Sequence, residues 1–501
     1  MTNLTNAQSL FFSALHAQEA GDLETAERLY LEALALAPGR LSIVKNLAAV
    51  FLESGKFDDA CELCTRYLES HPADASLLTQ LGNTRLGMGQ FEKALESYTI
   101  ALGHMPEHPE TLVNTAYVLE CMGRPRDALT HLNRLIELNP DHVAALGNRG
   151  NVLTKLNRFD DALLDFRRAQ RIAPESPMSY WNEAVCRLYS GDFEGGWKLY
   201  GWGWKAMQRG KEQPPFVQPR WNGIDYVNKL LVWGEQGIGD QILFSTLLGE
   251  LRNRAKHVVV AADPRLLPLL RRSFPDFEFS DINTATGLHD ADRQIAIGDL
   301  GMFFRKKWRA FPDGRKKILI PDPARSQNLH QRLGGGKDLI CGFSWSSTNP
   351  RIGVFKSLAE ADLSAMSAHK GVRWVDLQYG DTREDRNRFH ARFGLDVTHL
   401  DDIDNFDDID GLAALICACD LVVTVSNTTA HLAGALGIPT IVMLPEAVGR
   451  LWYWHHDAAN SPWYPSCSLI RQVSPGDWVP VIDAVSGKIA DLANRREKGF
   501  E

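Results

Sequence analysis

DLVVTVSNTTAHLAGALGIPTIVMLP, residues 420–445, decides the fold of the C-terminal half of this chain. An apolar run (Leu421 to Val425) meets a polar turn (Ser426 to Thr429). A small-residue helix (Ala430 to Leu436) follows, stops at Gly437, and gives way after Pro439 to a second apolar run. The pattern is strand, turn, helix, strand, with the helix beginning where the first strand ends. A helix start exposes unpaired N–H groups and the positive end of the helix dipole, which suits an anionic ligand. Ser426, Asn427, Thr428 and Thr429 put short polar side chains at that mouth, and His431 falls in the first helical turn. A buried βαβ unit with a polar cap would read the same way in isolation.

At 501 residues the chain has room for two or three domains, and a formal charge of −8 argues against general nucleic-acid affinity. No apolar stretch approaches membrane-span length, and MTNLTNAQSL lacks the basic-then-apolar pattern of a signal peptide, so a cytoplasmic location is expected. The eight cysteines are scattered. Cys61 and Cys64 lie one helical turn apart, Cys417 and Cys419 flank a buried-looking segment, and no second pair at ligand spacing accompanies either. Reduced core cysteines and no metal are expected.

The N-terminal part is periodic. Gly21, Gly55, Gly89, Gly123 and Gly191 keep a 34-residue phase, with Asn157 at the remaining position. Pro38, Pro72, Pro106, Pro140 and Pro174 keep it too, as do Ala26, Ala60, Ala94, Ala128 and Ala162. Each unit reads as a helix, a turn, a second helix with a small residue at the crossing, and a closing proline. This resembles the tetratricopeptide repeat: five units and a sixth, altered helix pair with Gly196 in the alanine slot, then Trp197, Trp202 and Trp204. One column of the first helices holds Asn46, Gln80, Asn114, Asn148 and Asn182, with Asn83 and Asn151 one turn further on. Carboxamides donate and accept, so such a row can grip a peptide main chain whatever its sequence. The column is similar to the asparagine-lined groove of the O-GlcNAc transferases, which implies a polypeptide partner. A solvated helix face is the plainer alternative.

Residues 205–228 lose the period and collect Gln213, Pro214, Pro215, Pro219 and Trp221, as a linker or short packed connection does. From 229 the texture is α/β. Strand Leu230–Trp233 runs into GEQGIGD (Gly234 to Asp240) and a helix over Gln241–Leu251. Gly237 and Gly239 let backbone approach a ligand between strand and helix. Gly334-Gly335-Gly336-Lys337 reads as a hinge, not a phosphate loop, because no Ser or Thr follows it. A second set begins at 337: strand Leu339–Trp345, helix Leu358–His369, strand Val372–Gln378, helix Ile409–Cys417, then the opening stretch. The acidic run Asp401 to Asp410 reads as a solvated loop that caps the helix after it.

Residues 229 to about 498 resemble the GT-B glycosyltransferases, in particular the lipopolysaccharide heptosyltransferase family and its bacterial relatives fused to tetratricopeptide repeats. Three motifs in order carry the likeness: GIGD at Gly237 to Asp240, SWSSTNPRIGVFKSL at Ser344 to Leu358, and TAHLAGALG at Thr429 to Gly437. WYPS (Trp463 to Ser466), Arg471-Gln472 and Asp477-Trp478 are also typical of the fused group. The fold implied is an α-solenoid (1–204), a linker (205–228) and two Rossmann-like halves (229–336 and 337–501), the second binding a nucleotide-sugar. Repeats before such an enzyme are also similar to bacterial flagellin glycosyltransferases that use nonulosonic acid donors, which implies flagellin as the narrowest acceptor.

The resemblance assigns roles. Asp240 matches the family's proposed base, although it also reads as a helix N-cap. Lys356 matches a lysine that neutralises donor phosphate; a surface lysine is the alternative. His431 and the amides of Thr428 to Ala430 would hold the leaving phosphate without a metal, and Ser346 and Ser347 would add hydroxyl contacts. WYWHH (Trp452 to His456) would line or cover the donor pocket. The heptosyltransferase pattern has an acid five residues before the histidine, where this chain has Ser426; losing that charge suits an acidic sugar and puts a heptose donor in doubt. The expected activity is inverting transfer from a nucleotide-sugar, with no other cofactor, to Ser or Thr of a protein held by the repeats. A glycan-acceptor enzyme using the repeats for assembly, and a non-catalytic adaptor, are the alternatives.

Overall fold

The computed structural model describes residues 2–210, 216–287, 290–314, 317–334, 338–349, 352–358, 361, 363–446 and 448–497. Gln213, Pro214 and Pro215 of the expected linker, and Gly335 to Lys337 of the expected hinge, lie outside them. The chain forms two compact units, 1–156 with 171–174, and 157–170 with 175–501.

The first unit is a series of antiparallel helix pairs that begins Thr2–Glu19, Leu23–Leu36, Leu41–Glu53, Phe57–Leu68 and runs to Val143–Lys155. Its helices end in one repeated device. Gly21 N–H donates to Gln18 O and Asp22 N–H to Ala17 O, the paired bonds of a Schellman cap. The same pair recurs at Gly55 and Lys56, Gly89 and Gln90, and Gly123 and Arg124. All four glycines sit at φ between 71° and 79°, where a Cβ would clash with the carbonyl. Starts are capped as well: Asp22 accepts from Thr25 N–H, and Asp74 from Leu77 N–H. Ala26, Ala60, Ala94 and Ala128 have no exposed surface, because the helices meet there without room for a larger side chain.

In the second unit the turn at Asn157 takes φ 57°, so asparagine does there what glycine does elsewhere in the period. Helices Pro177–Ser190 and Phe193–Tyr200 do not stop at a domain edge; they share a core with the α/β region. Trp197 donates from Nε1 to Arg305 O at 2.9 Å and meets Trp452 edge to face at 5.4 Å. The α/β region begins with parallel strands β1 (Val227–Trp233), β2 (Ala255–Ala262), β3 (Glu278–Asp281) and β4 (Arg293–Ala296), in the order β3-β2-β1-β4. A second parallel sheet contains β5 (Leu339–Ser344), β6 (Val372–Asp376), β7 (Val397–Thr398), β8 (Leu421–Val425), β9 (Thr440–Leu444) and β10 (Cys467–Arg471). Its order is β10-β9-β8-β5-β6-β7, the doubly wound arrangement whose direction of growth reverses between β5 and β8. β5, β8 and β9 are buried along their whole length, as strands covered on both faces must be.

Several boundaries differ from the sequence expectation. The helix expected over 241–251 starts at Ile238 and stops at Ser245, where Ser245 and Thr246 hydroxyls turn back onto Ile242 O and Leu243 O. A single helix over 358–369 does not form. Short helices Gly353–Lys356 and Ser364–Ser367 stand there, and Leu358 N–H bonds instead to Trp345 O. Helix Thr428–Ala435 takes in two residues of the expected turn, because Asn427 is its N-cap. The described part of 205–228 is a packed connection: Trp221 is buried and its N–H donates to Gln294 O, extending the first sheet at β4. The acidic run caps as expected through Asp408, and its acids also pair with arginines, Asp402 with Arg332, Asp408 with Arg325 and Asp410 with Arg272. Among the described residues all eight cysteines are free thiols, and no helix is long and apolar enough to cross a membrane.

One buried ionic cluster joins the connection to the first sheet. Arg209, 1% exposed, clasps Glu235 after β1 with Nε and Nη2, and reaches Asp299 after β4 at 2.6 Å. Asp299 also accepts from Arg220, and the Arg209 guanidinium lies over the rings of Tyr200 and Trp204. Arg209→Ala would leave Glu235 buried without a cation and Asp299 with Arg220 alone, a loss of about 3–5 kcal/mol. A denaturant titration followed by tryptophan fluorescence is expected to show a large drop in the unfolding midpoint.

Candidate functional site

Three strand ends deliver the side chains of one cleft. After β1 the chain turns through Gly234–Gly237 into helix Ile238–Ser245. Asp240 is the third residue of that helix rather than its cap; its Oδ2 accepts Gly237 N–H at 3.2 Å in a capping box. Gln236, just before, sits at φ 59°, a conformation costly for a residue with a Cβ, and its Nε2 lies 3.4 Å from Tyr200 OH.

After β8 the turn is held by Asn427. Its Oδ1 accepts from Ala430 N–H and Thr424 Oγ1, and its Nδ2 donates to Ser344 Oγ and Ser346 O at 2.8 and 3.0 Å. That carboxamide therefore ties the end of β8 to the end of β5 at the point where strand order reverses. After β5, Gln378 Oε1 accepts from Ser344 Oγ, Trp345 N–H and Ser346 N–H, fixing the loop from the other side. Ser347 N–H donates to Ser357 Oγ.

Helices Ile238–Ser245 and Thr428–Ala435 pack together, with their starts at the same cleft. Gly239 is the point of closest approach: a Cβ there would lie 3.2 Å from His431 Cδ2. Lys356 is buried and donates from Nζ to Ser426 O at 2.9 Å. His431 is buried, stacks on Trp454 at 5.2 Å and places Nδ1 3.2 Å from Tyr464 OH. Trp454 Nε1 donates to Ser426 Oγ, so that hydroxyl is engaged as well.

These residues line a cavity of about 710 Å³. Of the residues expected from the sequence, Gly237, Gly239, Asp240, Ser347, Lys356, Asn427, Thr428 and His431 are on its walls, together with Trp452 and Tyr453. Ser346 is not; its main chain is held behind the wall by Gln378 and Asn427. Thr429 is not either: it has no exposed surface and its Oγ1 bonds Leu377 O. Asn427 reaches the wall, but all of its described hydrogen bonds serve the frame. Tyr200, Gln236, Tyr379, Arg209 and Arg450 also line the cavity and carry no sequence signal of their own. Trp181 and Val185 do so from helix Pro177–Ser190, which also bears Asn182.

The carboxamide column is half-buried in both units, with Asn46, Gln80, Asn114 and Asn148 in the first and Asn182 in the second. Asn83 does not extend it freely: Oδ1 accepts from Tyr98 OH and Asn114 Nδ2, and Nδ2 reaches Glu110.

Burial sets the charges in the cleft. It pushes the Asp240 carboxyl up to about 6, against the Gly237 N–H and the Lys356 cation. It pushes Lys356 down to about 8, with Asp240 opposing. His431 falls to about 3, by burial first and then by the Lys356 charge, so near neutral pH it is an uncharged imidazole. Burial raises Glu235, behind the turn, to about 7 despite the Arg209 guanidinium. Burial also raises the Tyr200, Tyr453 and Tyr464 phenols, and the Asp240 charge adds to each shift. Lys356 and Arg450 together with two helix starts make a cavity suited to an anionic ligand, with one adjustable carboxylate at its wall.

The tetratricopeptide repeat family matches residues 2–139 and, in a second form, 122–177; the N-terminal helices are a tetratricopeptide solenoid. The chain is 32% identical over 326 residues to Protein FlbA of Caulobacter vibrioides (strain ATCC 19089 / CIP 103742 / CB 15), a match covering 58% of this chain and 53% of that protein. The chain thus spans about half the length of the curated relative it matches. Similar solved structures include TTC0263, a thermophilic tetratricopeptide protein of Thermus thermophilus (19% identity, 36% of this chain and 99% of that one, TM-score 0.34). Another is a tetratricopeptide repeat protein of Parabacteroides merdae ATCC 43184 (20% identity, 42% and 82%, TM-score 0.34).

The His431 ring is expected to show no change of charge between about pH 5 and 8, the range in which a solvated histidine titrates. Imidazole NMR on labelled protein, with His431→Asn to assign the signal, checks this; a midpoint near the ordinary value would contradict the buried, cation-facing environment.

Proposed function

We propose that this protein is an inverting glycosyltransferase of the GT-B type that moves a sugar from a nucleotide-sugar to a serine or threonine of a polypeptide. Support comes from one observation above the rest: Asp240, Lys356 and two helix starts share a single cavity, and Trp181 and Val185 of the helix bearing Asn182 form part of its wall. An acceptor held by the Asn182 carboxamide has a short path to the carboxylate. Flagellin is the narrowest acceptor that the sequence resemblance supports, and a nucleotide-sugar co-substrate fits a cytoplasmic enzyme.

In the proposed reaction the acceptor oxygen attacks the anomeric carbon while the bond from that carbon to the phosphate oxygen breaks. The acceptor proton passes to Asp240, and the nucleotide phosphate leaves with both bonding electrons. A carboxyl near 6 is ionised at neutral pH yet basic enough to take a proton as the bond forms. Lys356 and the amides at the start of helix Thr428–Ala435 meet the charge that grows on the leaving phosphate, a preorganised arrangement that water need not complete. Neutral His431 holds the helix start by stacking and offers a polar ring without adding charge. Arg450, with Lys356, favours a donor carrying more negative charge than a neutral sugar brings, in line with Ser426 standing where the heptosyltransferase pattern has an acid.

Asp240→Asn keeps the size of the side chain and is expected to lower kcat by about 10²–10⁴. The rate should rise with pH through about 6 as Asp240 ionises, and fall above about 8 as Lys356 loses its charge. Asn114→Ala and Asn148→Ala should each reduce kcat/KM for a protein acceptor about fivefold, the worth of one hydrogen bond. The first experiment is the intact mass of secreted, filament-forming proteins from the native host with wild-type and Asp240→Asn chains. A uniform mass loss on one protein supports the proposal. Unchanged proteins with altered envelope glycans would overturn it in favour of a glycan acceptor.

A further inference from the structure

Beside the cavity, the segment after Trp454 turns sharply at His455, whose backbone takes φ 56°. The turn brings consecutive rings together, His455 and His456 lying 4.3 Å apart between centroids. Asp457 faces both: its Oδ1 is 2.9 Å from His455 Nδ1, and its Oδ2 is 3.6 Å from His456 Nε2. All three ligand atoms fall within 4.8 Å of one another. Around a tetrahedral zinc with bonds of about 2.0–2.1 Å, ligand atoms stand about 3.3 Å apart, close to the separation of each histidine nitrogen from its nearer Asp457 oxygen.

The surroundings match those of a ligand set. His456 Nδ1 lies 3.2 Å from Tyr189 O, a carbonyl that can only accept, so the proton is on Nδ1 and the lone pair of Nε2 faces Asp457. His455 is 5% exposed and edge-on to Trp308 at 4.5 Å, which keeps bulk water from its ring. Phe159 closes the far side of His456 at 5.0 Å.

We infer that His455, His456 and Asp457 form a binding site for one divalent transition-metal ion of the Zn²⁺ class, with a fourth position open to water or an anionic oxygen. The site stands apart from the sugar-transfer reading. Its ion would pin residues 450–457, the segment that supplies Arg450, Trp452 and Tyr453 to the cavity wall. Ligation through His455 Nδ1 leaves the ring proton on Nε2 without an acceptor, and the Arg471 cation is close by, so the affinity belongs in the micromolar range rather than that of a closed structural zinc.

The test uses the full chain stripped with a chelator. Calorimetry with Zn²⁺ should give one saturable site per chain, and Co²⁺ should give the intense visible bands of a four-coordinate ion. Asp457→Ala, a change at an exposed residue, should weaken binding by at least about tenfold, as should His456→Phe, which keeps the packing against Phe159. No saturable Zn²⁺ binding to the wild type would overturn the inference. So would unchanged affinity in Asp457→Ala, or a Co²⁺ spectrum typical of a six-coordinate aquo ion.

Discussion

The Asn427 carboxamide is the interaction on which the cleft depends. In an open parallel sheet the loops leaving the two strands at the switch point run to opposite faces, so a crevice opens beyond the paired strand ends and the loop backbone beside it has no strand neighbour to fix it. Asn427 fixes it with bonds to Thr424, Ala430, Ser344 and Ser346. One side chain thereby sets the start of helix Thr428–Ala435 and the course of the loop after β5. Gln378 repeats the device from β6, its Oε1 accepting three donors from the same loop. The two amides leave this loop few ways to move, and a positively polarised helix end with a fixed mouth follows.

The cleft holds its charges at a cost in solvation. Asp240, Lys356 and His431 each lose water, and each shifts in the direction that burial dictates. Asp240 and Lys356 partly restore one another, whereas His431 gains nothing from a nearby cation and stays neutral. An anionic ligand between the two helix starts would restore the full charge of Lys356.

The last repeat helices belong to the same core as the sheets. Trp197 reaches Arg305 and Trp452, Arg209 binds Glu235 and Asp299, and Arg450 bonds Tyr189 through Nε. Tyr200 presents one face to the Arg209 guanidinium and its hydroxyl to Gln236. A division after Tyr200 would expose these aromatics and take the Tyr200 ring away from the Arg209 guanidinium, so the compact unit takes in the last repeat helices.

The periodic and sequential features were legible in the chain alone. The 34-residue phase shows in Gly21 through Gly191 because each helix end needs a left-handed residue, and in Ala26 through Ala162 because each crossing needs a small one. The strand ends around Asp240 and Asn427 were legible because apolar runs stop there at glycines and short polar residues. Ser346 and Thr429 misled, since a hydroxyl near a turn looks the same whether it faces ligand or frame. Tyr200, Arg450 and Gln236 were silent, and WYWHH read as pocket wall without its pairing to Asp457, because these roles arise from elements far apart in the chain or from a backbone turn that residue type does not announce. Sequence by itself determined which segments become helix and strand, through local sterics and periodic burial. Tertiary structure alone decided which side chains share the cavity and what charge each bears there, because solvation and Coulomb attraction depend on distances that only the packed chain defines.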